Sequence, residues 1–267
     1  MTVPRLQVIG GGKMGEALLA GLLGRGWAAA EELRVVELLA ARAEELRVTF
    51  PGLVVAGEPS VADAHVIAVK PGDVEAACRA LAAEGSRSPV LSIAAGVTIA
   101  RLEAALAPET PVVRAMPNTP ALVGAGAAAI APGTHASDDD VAWAESILGA
   151  VGTVVRVDES LLDAVTGLSG SGPAYVFLVA EALVEGGVLA GLPRPVSAAL
   201  ATQTLLGAAT LLAESPDGPE ALRAAVTSPA GTTAAGLRAL ERGGVRSAVL
   251  DAVMAATERS RELGAST

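Results

Sequence analysis

Side chains able to do proton or nucleophilic chemistry are scarce in this chain, and the scarcity itself narrows the function. Its 267 residues include two lysines (Lys13, Lys70), two histidines (His65, His135), one cysteine (Cys78) and one tyrosine (Tyr175). His65 falls on a predicted buried strand and His135 in the turn Pro132-Gly133-Thr134-His135. Neither has metal-ligand spacing and a lone cysteine completes no cluster, so no metal site is expected. No Gly-x-Ser-x-Gly follows a strand, which argues against a nucleophile-elbow hydrolase. Lys70 is the last lysine, so the carboxy-terminal part cannot offer a lysine general acid. Tyr175 sits where a helix begins rather than in a Tyr-Lys reductase pair. What remains is a cofactor that brings its own chemistry and a substrate needing little acid–base help. An imine meets that requirement: its nitrogen is protonated from water, the iminium accepts hydride, and the protein has only to position the partners.

Two segments carry residues suited to positioning. Gly10-Gly11-Gly12-Lys13-Met14-Gly15 has the Gly-x-Gly-x-x-Gly spacing. It lies between an apolar strand, Leu6 to Ile9, and a helix, Glu16 to Leu23. The first glycine permits a tight turn, the second lets backbone approach a pyrophosphate, and the third lets helix and strand pack closely. Phosphates then rest on unpaired N–H groups at the positive end of the helix. The second segment, Thr227-Ser228-Pro229-Ala230-Gly231-Thr232-Thr233, enters a helix at Ala234, so N–H groups and hydroxyls converge where a small carboxylate could bind. An ordinary helix N-cap at Thr232 or Thr233 accounts for the same local pattern equally well.

The elements that must hold these segments divide near residue 158. Up to that point short apolar strands alternate with helical stretches: Leu33 to Glu37, Leu53 to Ala56, His65 to Val69, Pro89 to Ile93 and Val112 to Met116 follow the first strand. Such alternation predicts an α/β fold, a doubly wound, Rossmann-like parallel sheet with helices on both faces, over residues 1–158. Ligands in that architecture lie beyond the carboxyl ends of the strands. Residues 159–267 read as all helical, with stretches at about 173–191, 194–214, 218–226, 232–242 and 244–263. Several are apolar on more than one face and call for a covering subunit, so with the 227–233 segment among them they read as a substrate-binding and dimerisation domain.

Composition agrees with an enzyme of small metabolites. With 51% apolar residues a core is easily filled, and a net charge of −10 without a basic patch argues against nucleic acid or an anionic membrane as partner. No uninterrupted run reads as long and apolar enough to span a bilayer, the best candidate being Val196 to Ala213. Lys13 and Glu16 interrupt the apolar amino terminus, which therefore does not read as a signal peptide. A single cysteine excludes an intrachain disulfide and fits a cytoplasmic location.

Across nearly its whole length the chain resembles pyrroline-5-carboxylate reductase. The resemblance rests on Val8 to Gly15, Ala68-Val69-Lys70-Pro71, Ser92-Ile93-Ala94-Ala95-Gly96-Val97 and Val113 to Pro120. It continues through Asp163 to Tyr175, Ala225 to Thr233 and Leu240-Glu241-Arg242-Gly243-Gly244. Order and spacing together make it specific. It implies reduction of 1-pyrroline-5-carboxylate to L-proline with NADP(H) or NAD(H), by a homodimer with interlocked helical domains that is often gathered into larger rings. Ser228, Ala230, Gly231, Thr232 and Thr233 would bind the substrate carboxylate, with Thr233 also near the ring nitrogen. Gly10, Gly11, Gly12, Lys13, Met14 and Gly15 would hold the dinucleotide, joined by Val69, Lys70, Pro71, Ala94, Ala95, Gly96 and Asn118 at its ribose and nicotinamide end. Two departures stand out: Ala230 replaces a usual glycine, and Glu37 ends the second strand where NADP-preferring members carry a small polar or basic residue. Glu37 alone favours NADH. The family's habit favours NADPH, for whose 2′-phosphate Arg42 on the next helix is a candidate partner, so both cofactors are expected to serve. Two other readings keep the glycine loop: a reductase of another cyclic imine or a deazaflavin, and a non-catalytic nucleotide sensor that leaves the 228–233 loop without a purpose.

Overall fold

A computed structural model describes residues 3–266. Its strands are β1 (Leu6–Ile9), β2 (Leu33–Val36), β3 (Val54–Ala56), β4 (His65–Ile67), β5 (Val90–Ser92), β6 (Val112–Met116), β7 (Gly126–Pro132) and β8 (Gly152–Arg156). They form one sheet in the order β3-β2-β1-β4-β5-β6-β7-β8. The first six run parallel, so their carboxyl ends share one edge, and β7 joins β6 antiparallel and pairs in parallel with β8. The parallel part matches the expectation from sequence, with β1 and β6 at the anticipated residues. The last two strands were not anticipated. β7 reads Gly-Ala-Ala-Ala-Ile-Ala-Pro and has a single β-branched residue, so it carries little local strand signal.

Alternate residues of the strands face two different apolar layers. Leu6, Val8, Leu33, Val35, Val66, Leu91 and Val113 pack in one layer with Leu18, Leu19 and Leu22 of helix α1 (Lys13–Gly24) and Ile147 and Leu148 of α5 (Asp138–Gly149). Ile9, Val36, Ile67, Val90 and Val112 face the other with Cys78 and Leu81 of α3 (Val74–Ala83) and Leu102 of α4 (Ile99–Ala105). Burial on both faces is what the continuously apolar strands required. Helix α2 (Ala40–Thr49) follows β2 and adds Leu46 to the first layer.

Contacts gather the described residues up to Ser171, with those from Met254 onward, into one compact unit, and Gly172–Val253 into a second. This grouping departs from a division after residue 158, because the 159–171 segment is tied to the sheet. Glu159 accepts from the Ile99 N–H at 2.7 Å and from the buried Arg114 guanidinium at 2.8 Å, and Ser260 donates to Asp163 at 2.6 Å. The segment contains α6 (Leu162–Val165) and a single π turn, Thr166–Gly170.

The second unit holds α7 (Gly172–Leu189), α8 (Arg194–Glu214), α9 (Pro219–Ala225), α10 (Thr232–Arg242) and the start of α11 (Val245–Ser266). α7 and α8 cross where Gly187 lies against Ser197, whose hydroxyl donates to the Val184 carbonyl at 2.8 Å. Yet α7 has no buried residue, and Phe177, Leu178, Leu200 and Leu206 are each more than half exposed. Two helical stretches, Glu159–Leu189 and Arg194–Glu214, are long and apolar enough by length and composition to cross a membrane. The sequence expectation that no segment reaches that threshold is therefore corrected: few charges interrupt the alanine and leucine of these helices.

One polar cluster lies inside the first unit. The Ser60 N–H can only donate, and it donates to Gln7 Oε1 at 3.0 Å, which turns the Gln7 amide nitrogen toward His65 Nδ1 at 3.2 Å. Nδ1 must then accept, and Nε2–H donates to Ser86 Oγ at 2.8 Å. Burial pushes the His65 pKa from 6.5 down to about 4. The folded pKa lies below the unfolded one, so this stabilisation is complete above pH 6.5 and is lost as pH falls toward 4. Urea unfolding should show wild-type stability dropping by about 2–3 kcal/mol between pH 7 and 4.5 beyond the drop in His65→Gln. Parallel pH dependences in the two proteins would remove His65 from the acid sensitivity of the fold.

Candidate functional site

The glycine turn begins where β1 ends. The Gly10 N–H continues the ladder to the Val36 carbonyl at 2.9 Å, and the chain then turns through φ +104° at Gly10. A Cβ there would stand 2.6 Å from the Ala68 carbonyl oxygen, so both conformation and space demand glycine. A Cβ on Gly15 would collide with the Gly10 carbonyl oxygen, which is how α1 packs so closely on the turn. Gly12 is the N-cap of α1, takes no side-chain cap, and has open space where a Cβ would be. The positive end of a twelve-residue helix thus begins beside free volume at Gly12.

That volume is a cleft of about 570 Å³ at the carboxyl edge of the parallel strands. Gly10, Gly12, Glu37, Val69 and Lys70 line it, as the sequence suggested. Its wall also contains residues that sequence reasoning missed: Leu38 and Leu39 after β2, Gly57 and Pro59 after β3, and Ala76, Ala77 and Ala80 on one face of α3. The helical spacing of those alanines was a usable signal, since small side chains leave room for a flat ligand.

Other expected residues are not part of the wall of this cleft. The Gly11 N–H donates to Glu37 Oε2 at 3.1 Å, and its carbonyl accepts from Arg42 Nε at 2.8 Å. Arg42 also donates to Glu16 at 2.6 Å and Glu45 at 2.8 Å, and these hydrogen bonds hold its pKa above the ordinary value. Lys13, 83% exposed, pairs with Glu16 at 3.7 Å, and Met14 follows it in the first turn of α1. Pro71 opens a 3-10 turn after β4, and Ala94, Ala95 and Gly96 follow β5. Asn118, nearly buried after β6, uses both ends of its amide within the protein: Oδ1 accepts from the Ala127 N–H at 2.8 Å and Nδ2 donates to the Ser169 carbonyl at 3.0 Å. It joins the loop after β6, the start of β7 and the π turn. Cys78 is fully buried, and burial pushes its thiol up to about 12, which leaves it inert.

In the second unit the chain from Ser228 to Gly231 closes a turn, with the Gly231 N–H donating to the Ser228 carbonyl at 3.1 Å. Ala230, third in that turn, has φ +58°, a left-handed conformation that costs an alanine about 1 kcal/mol and explains why glycine is usual there. A Cβ on Gly231 would strike the Ser228 hydroxyl. Gly231 is the N-cap of α10 and provides no side-chain cap, while Thr232 and Thr233 are the first two helical residues. The helix-cap alternative for these threonines is thereby corrected: both hydroxyls are exposed at an uncapped helix start.

Comparison with known proteins gives a consistent result. A family model for pyrroline-5-carboxylate reductase dimerisation matches residues 159–263, and one described as NADP oxidoreductase, coenzyme F420-dependent, matches residues 5–96. The chain is 47% identical over 263 residues to a pyrroline-5-carboxylate reductase of Synechocystis, covering 97% of this chain and 98% of that one. Among solved structures, a pyrroline-5-carboxylate reductase of Coxiella burnetii superposes with a TM-score of 0.92 at 34% identity, over 98% of this chain and 99% of that one. The Plasmodium falciparum pyrroline carboxylate reductase with NADP bound gives 0.85 at 30% identity, over 98% of both chains.

The two glycines that flank the helix start separate binding from folding. Gly12→Val should keep its thermal midpoint within a few degrees while dinucleotide affinity falls at least about tenfold, since its side chain enters only free volume. Gly15→Ala should lose about 1–3 kcal/mol of stability, because backbone must move to admit the methyl. Equal effects of both substitutions on stability and affinity would contradict this division.

Proposed function

Because the chain belongs to the pyrroline-5-carboxylate reductase family, we propose that it reduces 1-pyrroline-5-carboxylate to L-proline with NADH or NADPH. The observation that carries this reading is likeness over nearly the whole chain, which takes in both the glycine turn and the Ser228–Thr233 turn. The deazaflavin alternative has support only from the amino-terminal match over residues 5–96.

When bound, the reduced nicotinamide supplies a hydride to the imine carbon. The open N–H groups of Gly12 and the first turn of α1 hold the pyrophosphate, and Glu37 meets the adenosine ribose. Val69, Lys70 and Pro71, with Ala94, Ala95 and Gly96, border the nicotinamide end from the ends of β4 and β5. Asn118 serves that end as a strut, since both ends of its amide hold backbone. The exposed N–H groups at the start of α10, with the Ser228, Thr232 and Thr233 hydroxyls, take the substrate carboxylate, and Ala230 fixes the turn that aims them. The Thr233 hydroxyl stands at the ring nitrogen, whose proton comes from water. Orientation by these groups, rather than a strong enzymic acid, lowers the barrier.

The same reading assigns residues 1–158 to dinucleotide binding and 159–267 to substrate binding and dimerisation. A second copy, not a lipid bilayer, covers the exposed faces of α7 and α8, and larger rings are built from such dimers. The dimerisation match over 159–263 supports this. A cytoplasmic location is supported by the lone, buried Cys78, which has no disulfide partner in the chain.

Loss of nicotinamide absorbance should follow addition of 1-pyrroline-5-carboxylate to the purified protein with NADH or NADPH; folded protein inactive with both would refute the activity. Thr233→Ala should lower kcat/KM by roughly 10- to 100-fold, or about 1.4–2.7 kcal/mol of transition-state stabilisation, with its thermal midpoint preserved. A less stable variant with unaltered kcat/KM would return Thr233 to a structural role. Light scattering at micromolar concentration should report a dimer or a multiple of it, and a stable monomer would refute the covering of α7 and α8.

A further inference from the structure

We propose that the cleft beside Glu37 selects a dinucleotide whose adenosine ribose keeps a free 2′-hydroxyl, so that this protein works with NADH in preference to NADPH. The inference rests on the dinucleotide-reductase reading above and sharpens it, since sequence alone expected both cofactors to serve.

Glu37 stands at the carboxyl end of β2, next to β1 and its glycine turn, and lines the cleft. Its carboxylate is held from two sides. Oε2 accepts from the Gly11 N–H at 3.1 Å and Oε1 from the Leu39 N–H at 2.9 Å. Each oxygen spends one lone pair on backbone and keeps another for a sugar hydroxyl. Two anchors also prevent the carboxylate from swinging away from a ligand that repels it.

The cation that sequence offered to a 2′-phosphate is committed elsewhere. All three guanidinium nitrogens of Arg42 donate within the protein, to the Gly11 carbonyl, Glu45 and Glu16. Its side chain is 18% exposed, and it does not line the cleft. Releasing it would strip the Gly11 carbonyl of its side-chain donor, break its ion pair with Glu16 and loosen the glycine turn. The neighbours of Glu37 in the wall are Leu38 and Leu39, 82% and 69% exposed, which offer an adenine apolar surface and a phosphate nothing. Lys70 is the cation lining the cleft, and it follows β4, with β1 between it and β2. A 2′-phosphate at Glu37 would therefore meet a fixed like charge without a compensating donor, where a hydroxyl gains a charge-assisted hydrogen bond. That difference corresponds to roughly 10- to 100-fold in Kd.

The test titrates the full-length protein with NADH and, separately, NADPH, following nicotinamide fluorescence with no imine present. Wild type should bind NADH roughly 10- to 100-fold more tightly. In Glu37→Ser the ratio of the two Kd values should collapse or invert, and in Glu37→Gln it should narrow by about tenfold. A merely structural Glu37 would weaken both dinucleotides together and leave the ratio unchanged, which would overturn the proposal. So would wild-type protein that binds NADPH as tightly as NADH, a comparison that decides the matter even if both variants fail to fold. Selective NADH binding without turnover of 1-pyrroline-5-carboxylate would sustain the selectivity and refute the substrate assignment alone. Binding of neither dinucleotide would overturn both.

Discussion

The glycine turn at the carboxyl edge of the sheet depends on how Gly11 is held. Its N–H goes to Glu37 and its carbonyl to Arg42, so one residue joins the glycine turn to the end of β2 and to α2. Arg42 then reaches Glu16 in the first turn of α1, which closes a ring of contacts around the loop. Gly10, Gly11 and Gly12 have no side chains with which to fix their own path. The shape of the turn comes from this clamp, from the φ of Gly10 and from the contact of Gly15 with the Gly10 carbonyl. A pyrophosphate site made of backbone N–H groups is only as well organised as the backbone that presents them. Here organisation and charge come from the same residues, because the carboxylate that steadies Gly11 also lines the cleft.

The second unit poses the opposite problem. In the first, alternate strand residues bury themselves in two layers and Leu18, Leu19 and Leu22 of α1 are fully covered. In the second, α7 buries nothing, and α8 buries only Ser197 and Ala201. Hydrophobic burial is the main favourable term in folding, so helices without it draw their stability from association. The exposed start of α10 belongs to that unit, so order in the Ser228–Gly231 turn is linked to order in the helices around it.

Much of this was readable from local pattern. The six parallel strands were marked by apolar runs, the helices of the second unit by their Gly and Pro boundaries, and the glycine turn by spacing between a strand and a helix. Gly10, Gly12, Glu37, Val69 and Lys70 fell in one cleft because the ends of adjacent parallel strands must lie along one edge. Periodicity and backbone conformation are local properties, and local properties are what a sequence displays directly.

Tertiary structure decided the rest, for reasons of distance along the chain. β7 gains its strand identity from pairing with β6 and β8, which its alanines do not announce. The 159–171 segment joins the sheet through Glu159, whose partners Ile99 and Arg114 lie 60 and 45 residues away. Asn118 and Arg42 hydrogen-bond Ala127, Ser169 and Gly11, partners that no local pattern announces. Thr232 and Thr233 read equally as caps until Gly231 takes that position. In each case the residue type fixed which bonds were available, and only the folded chain determined which partner came within reach.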